Sequence, residues 1–323
     1  MTTTPASFQS VASGSNPTAR SSTKYGELGG FGHRMIASPL GVRAFIVGLP
    51  GSGKSAFLQT CPDAYIFNLD LSSTTIPIIP GSPLPEPKAL MWPGIAPEGY
   101  TLNDDGTPFV LDYGAVAAKV DLLCKMAREN RPRPKVVGID SLSALIGLLK
   151  TWMPLNAVKL GIAGENKDSW KQLDGRAAWD ILYDIVLSIM TRLHSHGYGV
   201  YFIGHVVNAK IPLGEDRFVL KPELTITDGF WKRLYDKFEL VLLCEKKEET
   251  VSVPDPRFAN RTIPSARTRT YLTTGGIELS GLTKTRVVLP AICLDPPSDA
   301  WAVYLDAYTK AAHPPAPPAP PQK

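Results

Sequence analysis

No apolar run in this chain approaches the ~18 residues that a membrane-spanning helix needs, so no transmembrane segment is expected. The N-terminus also lacks the apolar stretch of a secretory signal. Cysteine is scarce: Cys61, Cys124, Cys244 and Cys293 are widely scattered and form neither C-x-x-C pairs nor a metal-ligand cluster with the five histidines. That spacing argues against a disulfide framework or a zinc finger, and reads as reduced, buried thiols in a cytosolic protein. Acidic residues are missing from positions 1–24, which are dense in Ser and Thr; only Arg20 and Lys24 are basic there, too few for a transit peptide, so the segment reads as a disordered tail. Strong charge is absent too. A net charge of +4 and a pI of 8.7 permit an anionic partner without demanding one. What is present is a soluble composition, 44% hydrophobic and 20% charged over 323 residues, enough to bury the core of one α/β domain with extensions.

The most informative stretch is AFIVGLPGSGKS, residues 44–55. A β-type run, Phe45-Ile46-Val47, leads into Gly48-Leu49-Pro50-Gly51-Ser52-Gly53-Lys54-Ser55, which fits G-x-x-x-x-G-K-[ST] at every fixed position. The glycines permit a tight loop whose N–H groups turn inward around phosphate oxygens, and the helix expected to follow over 55–59, with Ala56 among the nucleotide-binding residues, aims its positive dipole end at the same anion. Lys54 would reach the β- and γ-phosphates, and Ser55 would bind Mg²⁺. The pattern predicts nucleotide binding, with ATP and Mg²⁺ as the ligands.

Further along, 64–70 reads as a second strand ending in the carboxylate of Asp70. Residues 76–109 are Pro-rich and predict a surface insertion, with a short hairpin at most. Val116, Val120, Leu123 and Met126 recur at helical spacing, and Pro132 and Pro134 stop that helix. Then 135–141 reads as a buried strand with Asp140 at its C-terminal end, the edge where ligands collect in a parallel sheet, so Asp140 is placed to hold Mg²⁺ together with Ser55. Residues 145–176 predict a helix that breaks into a polar segment. A firm helix follows at 177–194, with Trp179, Leu182, Tyr183, Val186, Met190 and Leu193 on its apolar face. His194 and His196 read as caps beside Gly197, and a strand at 198–203 closes on Gly204-His205. A second irregular stretch at 206–229 precedes an amphipathic segment around Trp231, a strand at 238–244, strands or hairpin arms near 269–272 and 287–289, and a closing helix at 299–308. Strands separated by helices predict a mostly parallel sheet sandwiched by helices, with antiparallel edge strands near the C-terminus. The expected organisation is a tail over 1–36, an ATPase domain over 37–310 and a Pro-rich tail over 311–323, a stiff extension or docking peptide.

Asp140 is followed by Ser141 rather than glutamate, so a hydrolytic base must come from elsewhere. With the P-loop, Asp70 after the second strand, Asp140-Ser141, His205 and a late Lys284-x-Arg286, the pattern resembles phage-type RecA-like P-loop ATPases, the single-strand annealing and recombination proteins related to RecA and bacterial RadA. The resemblance implies a RecA-like fold, DNA-stimulated ATP hydrolysis, action in recombination or annealing, a ring or filament of identical subunits, and the cytoplasm of a bacterial host. It also implies a single-stranded-DNA-binding or replication protein as a further partner. Residue by residue it makes Asp70 the base, with Asp63 or a residue of the Pro-rich insertion as alternatives. It makes His205 a γ-phosphate sensor, against a strand-end histidine satisfied by backbone. It makes Lys284 and Arg286 cations acting in a neighbouring subunit, against a solvated edge strand. Segments 145–176 and 206–229 match the two DNA-binding loops of RecA, with Lys150, Lys159, Lys167, Lys171, Arg176, Lys210, Arg217 and Lys221 for phosphates and Trp152 and Trp170 for bases. Interspersed acids such as Glu165 and Asp216 leave a plain solvated surface open. Two other functions fit the same residues: a helicase-loading ATPase acting on a protein, and a nucleotide-gated module with little turnover.

Overall fold

A computed structural model of the chain describes residues 38–70, 88–93, 111–214, 217–255, 257–274, 289–295 and 299–312. Its centre is a strand whose apolar run is buried on both faces, β1 (Arg43–Gly48). Continuous burial of this kind belongs to a central strand of a parallel sheet. Accordingly β1 runs parallel to β5 (Gly199–Gly214) on one side and to β7 (Leu240–Asp255) on the other. Beyond β5 lie β4 (Val136–Asp140), β2 (Ala64–Asn68) and, at the edge, β3 (Leu90–Trp92), all parallel. Beyond β7 lie the antiparallel β8 (Phe258–Thr273) and β9 (Ile292–Cys293), giving the order β3-β2-β4-β5-β1-β7-β8-β9. The fold is therefore the mostly parallel α/β sheet of P-loop NTPases, with its antiparallel strands near the C-terminus.

Alternation along β1 and β5 decides which helices cover which face. Phe45, Val47, Val200 and Phe202 face one core, built with α2 (Tyr113–Arg128), α3 (Leu142–Leu155), α4 (Gly175–Ser195) and α5 (Asp228–Tyr235). There the Phe45 ring lies 4.8 Å from that of Trp231 and 5.2 Å from that of Phe238. Tyr201 faces the other way, 5.4 Å from Trp301 of α6 (Ala300–Ala312), whose Trp301 N–H donates to Thr60 Oγ1 at 3.0 Å just past α1 (Lys54–Gln59). Local caps set the helix starts: Asp112 accepts from Ala115 N, Ser141 from Ala144 N and Asp174 from Ala177 N. At the end of α4, Gly197 takes φ +84°, as expected of a residue just past a helix, and the His196 ring sits against Arg192 O at 2.7 Å. No helix among the described residues is long and apolar enough to cross a membrane.

Several expectations change. The Pro-rich insertion contributes β3, a parallel edge strand rather than a hairpin arm, though only 88–93 of it are described. The stretch 206–229 is regular: β5 continues through Gly214 and pairs antiparallel with β6 (Arg217–Leu224) before α5 begins. The strand expected at 238–244 extends to Asp255, and its partner β8 begins at Phe258 rather than near 269. From Glu245 to Pro254 β7 is exposed or half-buried, so no continuous apolar run marks it in the sequence. The final helix runs to Ala312, past the expected boundary at 310. The N-terminal tail 1–36, the C-terminal residues 313–323 and the arm at 287–288 lie outside the described residues.

Candidate nucleotide and metal site

Where β1 ends, the chain turns at 49–53 into α1, with Gly51 at φ +73° and Gly53 at φ +98°. Gly48 is needed for a different reason. A Cβ there would stand 2.2 Å from the Cys244 carbonyl oxygen of β7, so only glycine lets the adjacent strand pass. Cys244 Sγ in turn donates to Ser52 O at 3.1 Å, and burial pushes its thiol up to about 11, so it holds the loop as an inert thiol. On β8, Thr270 packs against Gly53, 3.2 Å from where its Cβ would be. Cys244 and Thr270 are site neighbours that the sequence does not single out. No spacing signals them, because strand pairing brings them there from some 190 and 215 residues away in the chain.

Lys54 is buried. Its Nζ donates to Gly48 O at 2.9 Å and Leu49 O at 2.8 Å, and burial lowers its pKa against the raising pull of Cys244, Asp140 and Asp70. Ser55 and Ala56 form the half-buried first turn of α1, Ser52 is buried, and Pro50 and Gly51 are exposed at the tip.

Asp140 closes β4 with 1% of its surface exposed. Desolvation pushes its carboxyl up to about 6, resisted first by a hydrogen bond from Ser55, and its Oδ1 has no hydrogen-bond partner. The β2–β4 register sets Asn68 level with Asp140, which brings Asp70 just past the strand end; the β1–β5 register sets His205 level with Gly48. As a result Asp70, Asp140 and His205 offer ligand atoms within 4.8 Å of one another, and His205 Nε2 lies 3.4 Å from Asp70 Oδ2. Lys54, Ser55, Asp70, Asp140 and His205 thus meet at one edge of four adjacent strands, the edge where open α/β sheets bind ligands. Asp63 does not join them: it precedes β2 at the opposite edge, paired with Lys135 at 3.0 Å, which removes it as an alternative base.

This loop and sheet are those of a known family. The AAA domain family matches residues 40–275, from the start of β1 through β8. The chain belongs to the AAA domain family. Membership makes this AAA domain a P-loop ATPase of the kind that uses a nucleoside triphosphate and, typically, Mg²⁺. Among curated proteins no match to the chain is found. The donor set of the AAA domain suits the cation: the Ser55 hydroxyl and the orphaned Asp140 oxygen are hard ligands of the type Mg²⁺ takes beside phosphates.

The residues expected at DNA lie elsewhere on the AAA domain. Lys150 Nζ stands 4.6 Å from the Trp179 ring centre and 5.7 Å from that of Trp170, and the two rings meet edge-on at 5.5 Å. Trp152 packs on Tyr113 at 4.8 Å, Lys167 pairs with Glu165 at 2.6 Å, and Lys171 is exposed. Lys210 falls in β5 and Arg217 opens β6. Lys284 and Arg286 lie outside the described residues.

Proposed function

We propose that this chain hydrolyses ATP and couples hydrolysis to single-stranded DNA, acting in phage-type recombination or strand annealing. The observation that carries the reading is the position of His205. It stands beside Asp70 at the nucleotide edge, and it is also the last residue of β5 paired with β1 before the strand runs on into the β5–β6 ribbon. A change felt at His205 therefore has a continuous strand along which to reach 206–224, the segment that would meet DNA.

In the proposed cycle Lys54 leaves the Gly48 and Leu49 carbonyls and turns to the β- and γ-phosphates. Ser55 and Asp140 would hold Mg²⁺, which would supply positive charge to neutralise the phosphates. Asp70 accepts a hydrogen bond from the attacking water and holds it in line with the γ-phosphorus, while His205 fixes the Asp70 carboxylate. Catalysis by such a site is mainly positioning and charge neutralisation. The base sits on a short arm, so basal turnover should be slow.

ATPase rate measured with and without single-stranded DNA tests this, with Lys54→Ala as the inactive control. Stimulation supports the reading. Turnover indifferent to DNA would favour a helicase-loading ATPase with a protein effector, and no turnover a nucleotide-gated module.

A further inference from the structure

We propose that Asp70, Asp140 and His205 form a site for a divalent transition cation that fills in the absence of nucleotide. The inference goes beyond the ATPase reading and shares only Asp140 with the Mg²⁺ position described above. Three adjacent strands, β2, β4 and β5, deliver the three side chains to one point, with all donor atoms within 4.8 Å. Independent of that cluster, Asp140 is 1% exposed and its Oδ1 has no hydrogen-bond partner. A buried carboxylate oxygen left bare is costly, and a cation is the simplest group that satisfies it. Lys54 does not do so by contact, because its ammonium is spent on the Gly48 and Leu49 carbonyls.

The spacing of the exposed pair points the same way. His205 Nε2 and Asp70 Oδ2 stand 3.4 Å apart, longer than the about 2.7–2.9 Å of a charge-assisted hydrogen bond. Two donors each about 2.1 Å from one ion, at a tetrahedral angle, stand about 3.4 Å apart. Both residues are roughly a quarter exposed, so both can adjust around an entering ion. Donor chemistry then selects the ion. Mg²⁺ prefers an all-oxygen octahedron and keeps its waters, whereas an imidazole nitrogen with two carboxylates suits Mn²⁺, Fe²⁺, Co²⁺ or Zn²⁺. Two carboxylates and a neutral imidazole also balance a 2+ charge. Bound there, the ion would tie the end of β2 to the start of the β5–β6 ribbon before any nucleotide arrives.

Mn²⁺ titration of chelator-treated, nucleotide-free full-length protein, followed by loss of the free-ion electron paramagnetic resonance signal, tests the site. One Mn²⁺ per chain is expected, displaced by Zn²⁺ and resisted by a large excess of Mg²⁺. Removing a direct ligand should weaken binding by no less than the roughly 10–100-fold that losing a group behind a ligand costs, so His205→Ala and Asp70→Asn should each show at least that loss. A rise in melting temperature with Mn²⁺, seen in the parent and absent in Asp70→Asn, gives a second readout should His205→Ala fold poorly. Mn²⁺ binding that needs ATP, or that survives in both variants, overturns the inference and leaves the ATPase reading standing. Mn²⁺ binding by a protein that fails to take up a fluorescent ATP analogue does the reverse.

Discussion

Asp140 bears the cost of being ready for a cation. Its carboxyl ionises near 6 in the folded chain against 3.8 in the open chain, chiefly because burial penalises the charge. Between those values the native state binds the extra proton, so stability of the nucleotide-free, metal-free protein should fall as pH rises from about 4 to 6. Two units correspond to on the order of 3 kcal/mol. Asp140→Asn should flatten that slope and make the apo protein more stable at pH 8, while abolishing Mg²⁺-dependent hydrolysis. Urea unfolding in chelator across the pH range checks this; an unchanged slope in the variant would assign the titration to another group. The gain in stability and the loss of activity would then come from one carboxylate.

At the scale of elements, the β5–β6 ribbon should be separable from the domain. Among the described residues, the strand pairing of β5 past His205 is with β6 alone, whereas the preceding half of β5 is locked between β1 and β4. Replacing 208–222 by a two-residue Asn-Gly turn should leave the melting temperature and basal ATPase rate close to parental and remove stimulation by single-stranded DNA. Stimulation that persists would move the DNA contact elsewhere. The Trp170–Trp179 pair under Lys150 makes a contrasting element, because its rings pack on the core cluster. These two cases mark what the sequence can and cannot tell. Residues 45–47 and 136–140 sit in buried strands, and burial writes itself into the sequence as apolar runs; the P-loop is local and its spacing sufficient. Asp70 could be placed because it lies just past β2, and His205 because it follows the buried run 199–204 of β5. The ribbons could not, since Glu245-Lys246-Lys247-Glu248-Glu249 reads as polar loop although each residue has a cross-strand partner. Nor could the partners of the P-loop, Cys244 and Thr270, which only the sheet order brings near.

At the scale of the whole molecule, we propose that one subunit completes the site of another through Lys284 and Arg286. Lys284 and Arg286 are separated by one residue, which in an extended strand sets both side chains on one face. If they reach a neighbour's γ-phosphate, Arg286→Ala should be inactive alone and regain turnover when mixed with Lys54→Ala. Mixed interfaces then pair an intact P-loop with an intact arginine. An arginine acting this way is worth about 10³–10⁵ in rate, so even a small fraction of mixed interfaces would be measurable. Full activity of Arg286→Ala at concentrations too low for assembly would make each subunit self-sufficient.

The bonds from the Lys54 ammonium to the Gly48 and Leu49 carbonyls have a kinetic consequence. The loop begins latched on itself, and the lysine must let go before phosphates can be gripped. Capture of nucleotide should therefore contain a first-order step. In stopped-flow mixing with a fluorescent ATP analogue, the observed rate should climb with concentration and then level off at the unlatching rate. Lys54→Ala, with no latch to open, should bind weakly but with a rate that keeps rising linearly.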